Sequence, residues 1–329
     1  MSALFHLYLC GRKAAEWLIA MIYTVTLNPA IDKTVVIESF RAGGVNRVGT
    51  IREDAGGKGI NVSKCLKNLG EKSVAAMILA GSTGKRLENM LGDLQIPVLS
   101  VWAEGENRTN LKIIDPVKKE NTDINEPGPV VSAELLESFK EKLGSKIQPE
   151  DIVILSGSLP AGVDRGLYGA WTAYFRSLGA CVYLDADGEP MQKGMGAVPY
   201  MIKPNNDELA ALMGKASLSM EEMLREGKRL LDTGIAEIVI SLGGDGALFV
   251  SKEGCYRADG LRVPVKSTVG AGDSVVAAMA YAQSRNLDWE EKIRLAVAIG
   301  AASVMQSGTQ PPEPGLVWEL AKQVRFEKL

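Results

Sequence analysis

Histidine is nearly absent from this 329-residue chain, His6 being the only one. An imidazole-based triad or a histidine-rich metal centre is thereby excluded from the body of the protein. Cysteine is scarce as well: Cys10, Cys65, Cys181 and Cys255 lie far apart with no C-x-x-C spacing. Neither a disulfide framework nor a zinc site is indicated, and a reducing, cytoplasmic setting is expected. Aromatics are 6% of the chain, the net charge is −3 and there is no basic run, which argues against a nucleic-acid stripe or a polybasic membrane patch. Long apolar runs are missing too. Residues 4–9 are apolar, but Arg12, Lys13 and Glu16 interrupt before residues 17–20, too soon for a membrane span. The positive charges follow that stretch, whereas a signal peptide places them first. Residues 1–20 are therefore expected to be an extension outside the fold, with Met21 opening a domain that runs to residue 329.

What the chain does have is glycine set beside apolar segments. Ser267-Thr268-Val269-Gly270-Ala271-Gly272-Asp273-Ser274 leads directly into the apolar, helix-prone residues 275–282. Two glycines around a small residue let backbone approach a ligand, and the helix that follows turns unpaired N–H groups and its positive dipole end to the same point, making an anion site. Asp273 then stands beside a site built for a second negative charge, as a base would; it would equally serve as an acidic cap. Near the start, Gly56-Gly57-Lys58-Gly59 opens a helix expected through residue 69, with Val62, Cys65, Leu66 and Leu69 on one face. Lys58 and Asn61 project from its first turn. An anionic or hydroxyl-rich ligand fits there, as does a plain glycine-rich turn.

Residues 22–27 read as a buried strand stopped by Asn28-Pro29, with Asp32 just beyond it, where ligands collect in open α/β sheets or where a turn carboxylate would sit. Residues 33–38, 48–53, 110–114 and 121–124 alternate apolar and polar side chains and predict a four-stranded lid within about 31–55 and 106–128. Elsewhere short apolar strands (74–79, 98–102, 152–155, 181–184, 200–202, 238–242, 247–250) alternate with helices (near 85–91, 133–143, 167–178, and two closing helices at 274–284 and 290–306). This is the pattern of a mostly parallel sheet covered on both faces. The strand at 152–155 empties into Ser156-Gly157-Ser158-Leu159-Pro160, a cleft lining or a bland turn. Asn205 and Glu208 put an amide and a carboxylate on one helix start, as a ligand pair or a capping box. Residues 238–246 run from a strand into Gly243-Gly244-Asp245-Gly246, which a generic β-turn would also explain.

Gly270-Ala271-Gly272-Asp273 and Gly56-Gly57-Lys58-Gly59-Ile60-Asn61, in this order and separation, resemble the two signatures of the ribokinase (PfkB) family of sugar kinases. The resemblance runs from about Met21 to the end, and Val25-Thr26-Leu27-Asn28-Pro29-Ala30-Ile31-Asp32 is closest to the 1-phosphofructokinase and tagatose-6-phosphate kinase branch. It implies a ribokinase-like α/β fold and ATP- and Mg2+-dependent phosphorylation of a ketohexose phosphate, foremost fructose 1-phosphate to fructose 1,6-bisphosphate. Tagatose-6-phosphate kinase, 6-phosphofructokinase and a non-catalytic sugar-phosphate binder are the alternatives. By the same resemblance Asp273 is the base, and Gly270, Ala271 and Gly272 shape the turn whose N–H groups face the transferring phosphoryl. Asp32, Gly57 and Asn61 hold the sugar, while Lys58 and Arg108 meet its phosphate with Ser158 nearby. Lys203, Asn205, Ser241, Gly243 and Gly246 border the nucleotide, and Asn205 and Glu208 order Mg2+ through water; Ala301, Ser303 and Val304 either border the adenine or simply pack the core. A homodimer formed through the lid is implied, with no nucleic-acid or membrane partner. No Gly-x4-Gly-Lys-Ser/Thr loop is present, which separates the chain from P-loop kinases.

Overall fold

A computed structural model describes residues 20–329, so the expected N-terminal extension lies, up to residue 19, outside the described residues. The chain enters through β1 (Ile22–Thr26), whose five residues are all buried. It then leaves for a hairpin, β2 (Ala30–Val36) and β3 (Thr50–Gly56), and returns through α1 (Lys58–Asn68), β4 (Ser73–Ala80), α2 (Gly81–Asp93) and β5 (Val98–Ala103). A second excursion makes β6 (Arg108–Asp115) and β7 (Glu120–Asn125). Alternation resumes with α3 (Ala133–Gly144), β8 (Ile152–Ser156), α4 (Leu167–Ser177), β9 (Cys181–Asp185), α5 (Gly188–Met195), β10 (Met201–Ile202), α6 (Asn206–Leu212), α7 (Met220–Asp232) and β11 (Glu237–Ser241). The meander β12 (Ala247–Ser251) and β13 (Gly254–Ala258) precedes α8 (Ala271–Ser284), α9 (Trp289–Val304), α10 (Pro314–Ala321) and β14 (Phe326–Lys328).

The main sheet runs β14-β13-β12-β11-β10-β9-β8-β1-β4-β5. It is parallel from β5 to β11 and antiparallel from β11 outward to β14. Strand periodicity of two divides its side chains between two cores. Tyr23, Val25, Val153, Leu155, Val182, Leu184, Ile238 and Ile240 face one core with Phe139, Trp171 and Phe175. Ile22, Ile152, Ile154, Tyr183 and Val239 face the other with Val62, Leu66, Val276, Met279 and Ile293. Burial on both sides explains why these strands read as apolar runs instead of alternating ones.

The lid is a separate sheet in the order β3-β2-β6-β7, with β2 and β6 parallel and the outer pairs antiparallel. Its strands fall where alternation places them. Five elements depart from the sequence reading: α5, α7, β13, α10 and β14 were not expected, and α9 is not the last element of the core. The reason is visible in their composition. The α7 sequence MEEMLREGKRLLD carries charge on most of its surface and is fixed by a capping box between Ser219 and Glu222. Strand β14 is only Phe326-Glu327-Lys328, held at the sheet edge by pairing with β13 and not by a pattern of its own.

Candidate active site

The C-terminal ends of the parallel strands open into one cleft of about 1250 Å3, roofed by the lid. A pocket for one small molecule spans about 300–1,000 Å3, so this cleft has room for two substrates side by side. All but one of the site residues expected from the sequence line it: Asp32, Gly57, Lys58, Asn61, Arg108, Ser158, Lys203, Asn205, Glu208, Ser241, Gly243, Gly246, Ala301, Val304 and the turn Gly270-Ala271-Gly272-Asp273, the exception being Ser303.

At the centre, Gly270 precedes α8 with φ 83, a left-handed conformation that side-chain-bearing residues avoid. This lets the loop turn sharply into the helix. The Ala271 N–H points back to the Thr268 carbonyl at 3.4 Å, and the Ser274 N–H bonds the Gly270 carbonyl at 3.0 Å. The N–H groups of Gly272 and Asp273 therefore remain to receive an anion. Asp273 is only 6% exposed. Desolvation, reinforced by the nearby Asp185 charge, pushes its pKa up to about 6 against the opposing pull of Asn61, Lys58 and Lys203. The Asn61 side-chain amide donates to Asp273 Oδ2 at 2.8 Å, while Asn61 Oδ1 is buried and unpartnered. A carboxylate held in one orientation, desolvated and facing open space is suited to taking a proton.

Around Asp273 runs a chain of alternating charges. Lys58 Nζ lies 3.1 Å from Asp187 Oδ1 and 3.6 Å from Asp185 Oδ1, and Lys203 Nζ is 3.5 Å from the same Asp185 oxygen. Burial works against the Lys58 ammonium, yet Asp185, Asp187 and Asp273 hold its pKa above the ordinary lysine value. Asp185 ends β9, one residue past the strand expected at 181–184. It is buried, and its Oδ2 has no hydrogen-bond partner among the described residues. The signal was available: Asp185 is a carboxylate at the C-terminal, ligand-facing end of a sheet strand.

Asn205 and Glu208 do form the capping box of α6, with Asn205 Oδ1 accepting from the Glu208 N–H at 2.7 Å and Glu208 Oε2 from the Asn205 N–H at 2.8 Å. Desolvation raises the Glu208 pKa. The cap uses one lone pair on the Asn205 oxygen and one on a Glu208 oxygen, which leaves both residues able to accept from metal-bound water, and the orphaned Asp185 oxygen is a further hard ligand lining the cleft. Among the described residues no cluster of three His, Cys, Asp or Glu side chains forms a protein-only metal cage.

On the lid side, Asp32 Oδ1 accepts from Asn110 Nδ2 at 2.9 Å, and desolvation raises the Asp32 pKa. Arg108 Nε donates to the Asn28 carbonyl at 3.1 Å, which aims the guanidinium along the cleft wall. Ser158 is exposed at the same end. At the far end Ser241, Gly243 and Gly246 adjoin an apolar trough formed by Val263, Val265, Val297, Ala301 and Val304. Ser303 does not line it. Its hydroxyl lies behind the turn, 2.7 Å from the Ser274 hydroxyl, because it occupies the packed face of α9.

The pfkB family of carbohydrate kinases matches residues 25–315. The chain belongs to that family. Curated relatives agree: it is 36% identical to the 1-phosphofructokinase of Bacillus subtilis (strain 168) over 94% of this chain and 100% of that one, and 35% identical to the 1-phosphofructokinase of Escherichia coli (strain K12) over 87% and 91%. Phosphofructokinase-2 from Escherichia coli, solved in complex with substrates and products, superposes with a TM-score of 0.88 at 29% identity, covering 92% of this chain and 99% of that one. For a pfkB kinase the cleft's two ends, an oxygen-rich one beneath the lid and an apolar one beside α9, are what an acceptor and a nucleotide require.

Proposed function

We propose that this pfkB kinase transfers the γ-phosphoryl group of ATP to the 6-hydroxyl of fructose 1-phosphate, giving fructose 1,6-bisphosphate and ADP. The observation that carries the reading is Asp273, buried, tethered by Asn61 and set on the first turn behind a left-handed glycine. Asp273 takes the hydroxyl proton as the new O–P bond forms and the bond from the γ-phosphorus to the leaving oxygen of ADP breaks. Phosphoryl transfer asks chiefly for alignment and for neutralisation of charge on the transferring oxygens. The N–H groups of Gly272 and Asp273 supply that, with Lys58 and Lys203 beside them. Mg2+, held through Glu208 and Asp185, would neutralise charge on the phosphates. Asp32, with Asn110 behind it, takes sugar hydroxyls. Gly57 lets the backbone come close to the sugar, and Ser241, Gly243 and Gly246 border the ATP phosphates. The apolar trough takes the adenine.

The acceptor's own phosphate falls to Arg108, with Ser158 nearby. Arg108 has no carboxylate within salt-bridge distance among the described residues, whereas Lys58 is already matched by Asp185 and Asp187. The one-domain organisation from Met21 onward, with the two lid excursions as insertions, belongs to the same reading. So does a homodimer through the lid, supported by Ile51 and Ile124 standing 58% and 52% exposed on lid strands. Among the described residues no helix is long and apolar enough to cross a membrane, and a cytoplasmic location is proposed from the dispersed free cysteines Cys65, Cys181 and Cys255.

The deciding experiment is coupled ADP release with fructose 1-phosphate, tagatose 6-phosphate, fructose 6-phosphate and free fructose. Highest kcat/KM with fructose 1-phosphate is expected. A preference for either 6-phosphate would move the reading to another branch, and no ADP release with any of them would leave a binding protein.

A further inference from the structure

Lys64 does not line the cleft, and the chemistry above makes no use of it. It is nevertheless an ammonium buried to 6% exposure on α1. Its Nζ donates to the Ala55 carbonyl at 2.8 Å, near the end of lid strand β3, and to Thr309 Oγ1 at 3.2 Å, in the loop after α9. Burying an ammonium is costly unless its protons are bonded and negative charge faces it. Desolvation lowers its pKa, and Asp54, Asp32 and Asp273 oppose that loss. Two neighbouring elements, β3 and α1, thus meet, on one charge, a loop 245 positions further along the chain.

Thr309 is also the wall behind the catalytic turn. Its Cα and Cγ2 stand 3.7 Å from where a side chain on Gly270 would begin. A second tie runs beside the first: Arg52 of β3 donates to Asp54 Oδ2 at 2.8 Å, and its guanidinium packs on Gly308, where φ is +65 and a Cβ would overlap it. Two consecutive loop residues are therefore gripped, one by a lid arginine and one by a cation that also holds the lid strand. Displacing β3 cannot leave Thr309, and with it the Gly270 turn, unaffected.

We propose that Lys64 is a positioning residue for phosphoryl transfer, the buried link through which the lid strand β3 sets the Gly270-to-Asp273 turn by way of Thr309. The proposal rests on the kinase reading above. Lid closure over the sugar phosphate would then also tighten the turn that holds the transferring group, so that the turn is best formed only when acceptor is present.

The test uses the full chain and the sugar phosphate that the unmodified protein phosphorylates, comparing Lys64→Met, Lys64→Arg and Thr309→Val with Lys67→Met on the same helix as control. A misplacement of the order of an ångström costs about 10²-fold in rate, so Lys64→Met should lower kcat by about 10- to 100-fold with KM for ATP little changed. Thr309→Val should show a smaller fall, Lys64→Arg partial recovery, and Lys67→Met unaltered kinetics. In hydrogen exchange, sugar phosphate should protect residues 50–56 and 267–271 together in the unmodified protein, whereas in Lys64→Met it should protect only the first segment. Normal kcat in a folded Lys64→Met, or a lowered kcat with joint protection intact, overturns the proposal. If Lys64→Met does not fold, normal kcat in both Thr309→Val and Lys64→Arg overturns it. If the unmodified protein turns over no sugar phosphate, the kinase reading fails; the exchange comparison with fructose 1-phosphate then still decides the link, since absent or separable protection of the two segments sinks it.

Discussion

The Asn61 amide and the Asp273 carboxylate, 212 positions apart in the chain, meet at 2.8 Å. One comes from the first helix after the lid hairpin and the other from the helix behind the anion turn, so the bond joins the acceptor side of the cleft to the transfer point. It orients the carboxylate and favours its charged form, against a burial that favours the neutral one. Asn61→Ala should therefore raise the Asp273 pKa further. Activity in this variant is expected to fall more at pH 6 than at pH 8, and a pH–rate profile with an unshifted acid limb would show that the amide contributes nothing to the base.

Asp273→Asn keeps the size of the side chain but removes the proton acceptor. Turnover should fall by about 10²- to 10⁴-fold, the range for losing a general base, while nucleotide affinity measured by calorimetry changes little. Retained turnover would take the base assignment away from Asp273.

The same residue links catalysis to stability. Its folded pKa of about 6 lies above the ordinary carboxylate value of 3.8. Between those values the folded state binds more protons than the unfolded one, so this group makes stability fall as pH rises from about 4 to 6. Above pH 6 the full cost of about 1–3 kcal/mol persists. Asp273→Asn should accordingly unfold at a higher temperature than the unmodified protein at pH 7.5, with the gain shrinking toward pH 4. In the unmodified enzyme kcat/KM should drop below about pH 6 as the base is protonated. Equal melting temperatures for the two proteins across this range would contradict the desolvation argument.

Much of this was legible in the sequence because local patterns and site motifs coincide. The Gly270 turn, the Gly57 turn and the strand end at Lys203 announce themselves by glycine and by position relative to apolar runs, whereas Asp32, expected just past the first strand, sits within lid strand β2. Lid strands were readable from alternation, since one face is wet. What stayed hidden depends on partners. Asp185 gains its meaning from Lys58 and Lys203, which approach from other strands and helices. Ser303 could be read as a trough residue or as core packing, and only its partner, the Ser274 hydroxyl, decides for packing. The short β14 has no pattern at all, only an edge to pair with.

Arg108 and Lys58 separate two uses of positive charge in one cleft. Arg108 is braced by the Asn28 carbonyl, feels Asp32 only through space and, among the described residues, has no carboxylate within salt-bridge distance, so its charge is available to a ligand. Lys58 is matched by Asp185 and Asp187 and lies in the field of Asp273. Replacing Arg108 with Met should raise KM for the sugar phosphate by about 10-fold or more, as expected when a charge-assisted phosphate contact of roughly 1.5–3 kcal/mol is lost, with KM for ATP almost unchanged. Replacing Lys58 with Met removes charge from the transfer point instead, and should appear mainly in kcat, together with an acid limb moved to higher pH because one cation beside Asp273 is gone. Free fructose supplies the control: it lacks the phosphate, so Arg108→Met should alter its slow phosphorylation little, while Lys58→Met should slow it as much as that of the phosphorylated substrate. If the two variants showed the same pattern, with KM for sugar phosphate raised and kcat intact in both, Lys58 would be a second phosphate ligand and its pairing with Asp185 and Asp187 would have to yield on binding.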